Sequence, residues 1–449
     1  MASCRRPAGS RVARSRHKRA GPVERSGVWV DVLHLSTSDI DGGAARAAYR
    51  LHHALRLIGV NSQMLVQSRA SRDTSVSAAY RKRSLGSIGA RLRPGADRIP
   101  FVTHQNAGSV HFSTQWIAER VAHQVHRRAP NVVHLHWICD GYLQIESLPR
   151  LGQPIVWTLH DMWGFTGGCH YSEGCDRYGD SCGRCPQLPS GREKDVSRWV
   201  WRRKARAWRD WPVVVVSPSR WLAECARQSS LLAALPIHVI PHGLDLALYR
   251  PVERQRARAL LRIPDDGRRL VLFGAVSAAA DRRKGFDLFN RAVARLMESG
   301  TCTERVRLAT FGADPSEITG DLGMACTHLG VLRDDLSLVL AYSAADAMVV
   351  PSREEAFGQT ASEALACGAP VVCFDTSGLR EIVDHGVNGY RAVCYDPGDL
   401  ARGIAWVLED EHRVRLLTRH AREKAQRVFS VEAQARAHER LYREMLEAN

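Results

Sequence analysis

Along most of the chain, short runs of β-branched and other apolar residues alternate with longer stretches whose apolar positions recur at helical spacing. A first series of runs falls at 28–35, 63–67, 131–136, 154–159 and 212–217. A second begins after Pro241, at 269–273, 306–311, 346–350 and 370–374. Apolar strands of this kind, separated by helices, predict parallel sheets covered on both faces. Two series predict two doubly wound α/β domains, each binding ligands at the carboxyl ends of its strands. The passage 241–266, with its prolines and charges, is the expected junction, giving a first domain over 28–245 and a second over 246–428. A helical pattern at 431–447 follows, in a C-terminal segment 429–449 expected to return toward the first domain.

Charge changes the picture at the start. Residues 1–27 carry Arg5, Arg6, Arg11, Arg14, Arg16, Lys18, Arg19 and Arg25 against Glu24 alone. No apolar segment of secretory length follows, so the stretch reads as a disordered basic arm and not as a signal peptide. The formal charge of +16 leaves the remainder cationic as well, which predicts attraction to something anionic: membrane lipid, a phosphorylated acceptor or nucleic acid. No stretch is apolar for the eighteen or so residues of a membrane span. Hydrophobic content of 45% suits a chain that buries cores, and most of the 12 cysteines, such as Cys367, Cys373 and Cys394, are scattered singly as buried thiols would be.

The richest local pattern is Ser352-Arg353-Glu354-Glu355-Ala356-Phe357-Gly358-Gln359-Thr360-Ala361-Ser362-Glu363, between an apolar run ending at Pro351 and a glycine-led run at 368–374. This is strand, loop, helix and next strand. Gly358 permits close backbone approach, and a helix starting near Thr360 offers free N–H groups to an anion. Glu355 in the loop and Glu363 one turn into the helix can hold two groups of hydroxyls on one ligand. Thr360 to Glu363 also fits a capping box, in which Glu363 merely returns to the helix start.

These residues resemble the E-x7-E region of the retaining GT-B glycosyltransferases of family 4, with Glu355 and Glu363 at the matching spacing. The resemblance covers roughly 28–445. It takes in Pro241-His242-Gly243-Leu244-Asp245, Arg283-Lys284-Gly285, Gly378-Leu379-Arg380-Glu381 and Asn388-Gly389. It implies two Rossmann-like domains facing a cleft, a nucleotide diphosphate sugar as donor and no organic cofactor. By the same resemblance Glu355 contacts donor-sugar hydroxyls, Glu363 binds the ribose and Lys284 meets the diphosphate with Arg283 beside it. Backbone N–H groups at Phe357, Gly358 and Gln359 then face the sugar and phosphates. A lysine there would stabilise charge developing on the leaving group. The arginine that many members carry six residues before the lysine is here Ala278. In the first domain, the paired Gly42 and Gly43 open a helix with apolar positions Ala44, Ala48, Leu51, Leu55 and Ile58 and match the turn that approaches donor or acceptor. His160 matches the histidine lining the sugar pocket. The family's E-x7-E positions ligands and is not a glycosidase acid–base pair.

His160-Asp161-Met162-Trp163, followed by Cys169, Cys175, Cys182 and Cys185, is similar to a colanic-acid-type exopolysaccharide subgroup. This implies a glycan or lipid-linked acceptor, and two basic segments add the expectation of a cytoplasmic enzyme peripheral at the inner face of the membrane. The closing C-x2-C has the turn chemistry of half a zinc knuckle, so the four cysteines are a structural zinc candidate, with an iron–sulfur cluster or unligated thiols as alternatives. Arg81, Lys82, Arg83, Arg91, Arg93 and Arg98 form a basic stretch. Arg198-Trp199-Val200-Trp201-Arg202-Arg203-Lys204 mixes aromatics with cations, as a membrane interface would, or as a solvated helix burying Trp201, the Lys204 stem and Trp208 would. Two competing classes are a metal-containing nucleic-acid-binding protein, which leaves the E-x7-E loop unexplained, and a GT-B phosphorylase or sugar-phosphate synthase.

Overall fold

A computed structural model describes residues 30–80, 85–101, 111–152, 154–274, 281–299, 305–312 and 323–448. The basic arm 1–27, Arg81 to Arg83 and Ala278 lie outside the described residues.

The first series builds seven parallel strands: β1 (Asp31–Ser38), β2 (Asn61–Ser68), β3 (Val76–Ala78), β4 (Val132–Leu135), β5 (Ile155–Thr158), β6 (Val213–Ser217) and β7 (Ile237–Val239). The second builds six: β8 (Arg269–Gly274), β9 (Val306–Phe311), β10 (Cys326–His328), β11 (Ala347–Val350), β12 (Val371–Phe374) and β13 (Gly389–Ala392). Their spatial orders are β3-β2-β1-β4-β5-β6-β7 and β10-β9-β8-β11-β12-β13. In both sheets the order reverses beside the first strand, opening a crevice at the carboxyl ends of β1 and β4 and of β8 and β11. The apolar runs form the central strands because these are buried on both faces: β4, β5, β11 and β12 are buried at every position.

Helix Gly43–Leu57 packs Ala48, Leu51 and Leu55 inward. The final helix, Val431–Glu447, lies against it, and Val431, Ala435, Leu441 and Tyr442 share a core with Val32, Val132 and Val156 of the first sheet. The chain therefore crosses back to the first domain after building the second. Within the junction passage, Arg254–Leu260 forms a short helix capped by the Glu253 carboxylate. Among the described residues no helix is long and apolar enough to cross a membrane.

Candidate active site

Each crevice receives side chains from the loops that leave its strands. After β8, the turn Arg282–Lys284 is capped by Asp281 and ends at Gly285, whose φ is +69°. A Cβ at Gly285 would lie 2.0 Å from the Pro351 carbonyl oxygen, so glycine is what lets this turn press against the loop after β11. Lys284 and Glu355 meet there. Lys284 Nζ donates to Glu355 Oε1 at 2.7 Å, Ser352 Oγ donates to the same oxygen at 2.9 Å, and Arg283 Nη1 stands 3.3 Å from it. Glu355 Oε2 has no protein partner among the described residues. Burial pushes the Glu355 carboxyl up, but Lys284 and Arg283 outweigh it and bring its pKa down to about 2. Burial and then the Arg283 charge hold Lys284 below the ordinary lysine range.

The loop turns at Gly358, with φ +102°, where a Cβ would strike Leu379 Cδ2 at 2.7 Å. The helix then starts at Gln359, and Gly358 is its N-cap, with no side-chain cap bond. The capping-box alternative therefore fails. Glu363 is committed elsewhere: Oε1 accepts from Arg50 Nη1 at 2.8 Å and Oε2 accepts from Tyr342 Oη at 2.9 Å. The backbone N–H groups of Phe357, Gly358 and Gln359 donate no backbone hydrogen bond among the described residues.

The first domain closes over these groups. Gly42 caps helix Gly43–Leu57 with φ +89° and no side-chain bond, and Gln359 Nε2 crosses the cleft to the Gly43 carbonyl at 2.8 Å. One turn on, Arg46 and Arg50 project together to the second domain. Arg46 donates to the Arg333 carbonyl and pairs with Asp335, while Arg50 also reaches Tyr249 Oη at 2.7 Å. No motif in the sequence marks this clasp. Its available signal was the i, i+4 spacing of Arg46 and Arg50, which places both on one face of the helix.

His160 follows β5. Its ring stacks on His242 at 5.0 Å and 17°, and His242 meets the edge of Phe357. Beside the Gly42–Gly43 turn opens a cavity of about 870 Å³, lined by Ser36, Asp41, Gln67, Arg69, Arg91, Trp137 and Asp140 among others.

The cysteine loop lies on the E-x7-E loop. Backbone N–H groups of Glu173 and Gly174 donate to Glu354, Ala356 N donates to Tyr171 Oη, and Arg283 sits 4.3 Å over the Tyr171 ring. Cys169, Cys175, Cys182 and Cys185 line one cavity of about 20 Å³, and all four are free thiols. Their sulfurs are not gathered at ligand distance. Among the described residues, only His34, His134 and His136 bring three ligand atoms within 4.8 Å of one another.

Two expectations for the basic surface are revised. Arg93 is turned inward, donating to the carbonyls of Gly141, Ile117 and Ala118, while Arg91 and Arg98 are exposed. Lys204 buries its ammonium as well as its stem: Nζ donates to the Trp163 and Thr166 carbonyls and lies 3.6 Å from the Trp163 ring. Burial pulls its pKa down to about 7. Trp208 is buried beside it, Trp201 is partly covered, and Trp199 is exposed.

Two doubly wound parallel sheets facing each other across such a cleft are the GT-B architecture. The chain matches the family described as glycosyltransferase family 4 over residues 41–248 and that described as glycosyl transferases group 1 over 264–427. It is 33% identical over 331 residues to the D-inositol 3-phosphate glycosyltransferase of Thermobispora bispora, covering 71% of each chain. It is 34% identical over 222 residues to D-inositol 3-phosphate glycosyltransferase 1 of Catenulispora acidiphila, covering 45% of this chain and 52% of that one, so it spans only about half the length of that relative. Sucrose-phosphate synthase from Thermosynechococcus elongatus shares the fold, with a TM-score of 0.67 at 22% identity over 93% of this chain and 100% of that one. The chain belongs to this glycosyltransferase family.

Proposed function

We propose that the protein transfers a sugar, with retention, from a nucleotide diphosphate sugar to a hydroxyl of an acceptor bound by the first domain. The observation that carries this reading is the Glu355 carboxylate. Lys284, Ser352 and Arg283 all converge on Oε1, leaving Oε2 for hydroxyls of a donor sugar. Lys284 and Arg283 take the diphosphate, where a fixed cation stabilises the charge that develops as the glycosidic bond breaks. Backbone N–H groups at Phe357, Gly358 and Gln359 face phosphate and sugar, the Gly42–Gly43 turn approaches from the other wall, and His160 lines the sugar pocket. Glu363 binds ribose. Each of its oxygens retains a second lone pair beside Arg50 and Tyr342, so ribose hydroxyls can join the existing bonds. No protein base is assigned: the acceptor attacks from the leaving-group face and a phosphate oxygen takes its proton.

The acceptor occupies the cavity beside Gly42, whose mixed acids, amides and arginines suit a polyhydroxylated molecule. A glycan or lipid-linked acceptor of exopolysaccharide synthesis is the reading favoured by the His160-Asp161-Met162-Trp163 motif and its cysteine loop. Action at the inner membrane face goes with it, supported by exposed Arg91, Leu92, Arg98 and Ile99. The relatives named for D-inositol 3-phosphate favour a second reading, a small phosphorylated polyol held by Arg69 and Arg91. Structural zinc at Cys169, Cys175, Cys182 and Cys185 is part of the same proposal: the four line one cavity, and binding would have to draw together sulfurs that do not stand at ligand distance.

The test is a panel of UDP- and GDP-sugars, read by protection against heating and by nucleotide release with glycan, lipid-linked, phosphorylated-polyol or orthophosphate acceptors. Protection by one nucleotide sugar with acceptor-dependent release supports the proposal. Release driven by orthophosphate alone makes the protein a phosphorylase, and failure of every nucleotide sugar overturns the reading.

A further inference from the structure

The first domain carries an unusual density of buried histidine. His134 lies on β4 and His136 just beyond its end, two residues on, where its N–H still donates to the Leu35 carbonyl, so both face the same side of the sheet; His34 on β1 is the register partner of His134. His34 and His136 are joined by a bond from Nδ1 to Nε2 at 2.9 Å. His136 Nδ1 in turn meets His160 Nε2 at 3.1 Å. The result is a continuous line of three imidazoles running from the sheet interior to the end of β5. His134 stands beside it but is satisfied separately, with Nδ1 on Tyr442 Oη at 2.6 Å and Nε2 on Thr158 Oγ1 at 2.7 Å.

A metal ion does not explain the cluster. Ligation uses lone pairs lying in each ring plane and converging on one point, whereas the rings of His34, His134 and His136 lie over one another at interplanar angles of 27°, 30° and 37°. Apart from His34 Nε2, their nitrogens are also already paired with one another, with His160 or with hydroxyls.

We infer that His136 and His34 are positioning residues for His160, fixing it as the tautomer whose Nε2 accepts from His136 and whose Nδ1–H is turned to the donor cleft. The direction follows from the far end of the line. A neutral imidazole carries one N–H, and His34 Nε2 is buried without a partner. An N–H placed there would be an orphaned buried donor, a rarer defect than an unshared lone pair. The His34 proton therefore sits on Nδ1 and donates to His136 Nε2. His136 carries its own proton on Nδ1 and donates it to His160 Nε2, which leaves the His160 proton on Nδ1. That atom has no hydrogen-bond partner among the described residues and is not sealed from solvent.

Burial keeps the line neutral. It pulls His34 and His136 well below the usual histidine range and His160 to about 4. The rings thus pass on hydrogen-bond polarity and not a net proton. The His242 ring, stacked on His160, fixes its plane while the line fixes its rotation. Resting on the proposed donor pocket, this gives His160 a fixed N–H for a sugar oxygen. The opposite tautomer would present a lone pair and select a different hydroxyl arrangement.

The experiment is tautomer-resolved ¹⁵N–¹H spectroscopy on the full-length chain labelled at histidine, with His160 assigned by its absence in His160→Ala. His160 protonated on Nδ1 is expected. In His136→Leu, His160 should populate both tautomers and the kcat for nucleotide release, with the nucleotide sugar chosen by the panel, should fall about tenfold. In His136→Asn, whose amide N–H can replace the Nδ1–H donor, the single tautomer and most of the rate should return. Protonation of His160 on Nε2 in the parent chain, or an unchanged single tautomer in His136→Leu, overturns the inference. The parent spectrum decides the direction even if His136→Leu fails to fold. It is independent of turnover, so a chain inactive with every donor would count against the proposed function and not against the histidine line.

Discussion

Replacing Lys284 by methionine removes the ammonium and keeps most of the stem. In the parent, Lys284 Nζ lies 2.7 Å from Glu355 Oε1, with the two side chains 20% and 11% exposed. Removing one partner of a fully buried pair costs about 3–5 kcal/mol. Here Ser352 and Arg283 still hold the same oxygen, so the loss in stability should be nearer one charged hydrogen bond, about 1.5–3 kcal/mol. The catalytic loss should be of separate origin and of similar size in free energy. A charge-stabilising donor removed from the leaving group lowers kcat by roughly 10²-fold or more. Nucleotide release at saturating donor measures this, and calorimetry at several pH values measures the stability. Glu355 is depressed from 4.5 to about 2 in the folded protein, so its contribution is present above pH 4.5 and drains as the pH falls toward 2. Without Lys284 the folded value rises toward 4.5, so this acid-dependent loss should become smaller and end at a higher pH, while its onset stays near 4.5. A variant with lowered stability and unchanged kcat would confine Lys284 to holding Glu355, and the diphosphate role would pass to Arg283 or Arg282.

Two further outcomes test the loop and the surface. Protein purified without a histidine tag should contain about one zinc per chain, released by Cys182→Ser with Cys185→Ser; metal-free protein of full stability would leave the four as ordinary thiols. Anionic vesicles should bind the chain lacking residues 1–27, and Arg91→Gln with Arg98→Gln should weaken that binding by roughly thirtyfold at low salt, at about 1 kcal/mol per cation. Binding that survives both changes would move the contact to the Trp199 helix, and no binding by the parent would favour a soluble acceptor.

The central strands were legible because burial on both faces writes an uninterrupted apolar run. The edge strands β3, β7, β10 and β13 were not, since each spans only three or four residues and is partly exposed. The E-x7-E loop could be read locally, but its helix start could not. Thr360-Ala361-Ser362-Glu363 has the capping-box spelling, yet an αL glycine at 358 starts the helix earlier and Arg50 draws Glu363 away. Local chemistry offered two homes for that carboxylate, and only tertiary contact selects between them. The histidine line was spelled as His-x-His across the end of β4, a period-two signal, but its partner on β1 lies 102 residues away for His136.

Glu363 is where these two kinds of information have to be separated by experiment. It has a structural tie, the Arg50 clasp between domains, and a proposed ligand, the donor ribose. Glu363→Ala removes both at once. Losing ribose bonds should raise the donor KM roughly tenfold or more, the equivalent of a charged hydrogen bond at about 1.5–3 kcal/mol. It also leaves the Arg50 charge with Tyr249 Oη and with Asp335 at 3.5 Å, so thermal stability should fall as well. Arg50→Met separates the effects. It breaks the clasp while Tyr342 still holds Glu363 Oε2, so stability should fall while both lone-pair faces of Oε1 become available to ribose. A donor KM that rises in Glu363→Ala but not in Arg50→Met fits a carboxylate that binds ribose. If Glu363→Ala lowers the melting temperature and leaves the donor KM unchanged, its role is to hold the domains together, and the ribose must be bound by another residue.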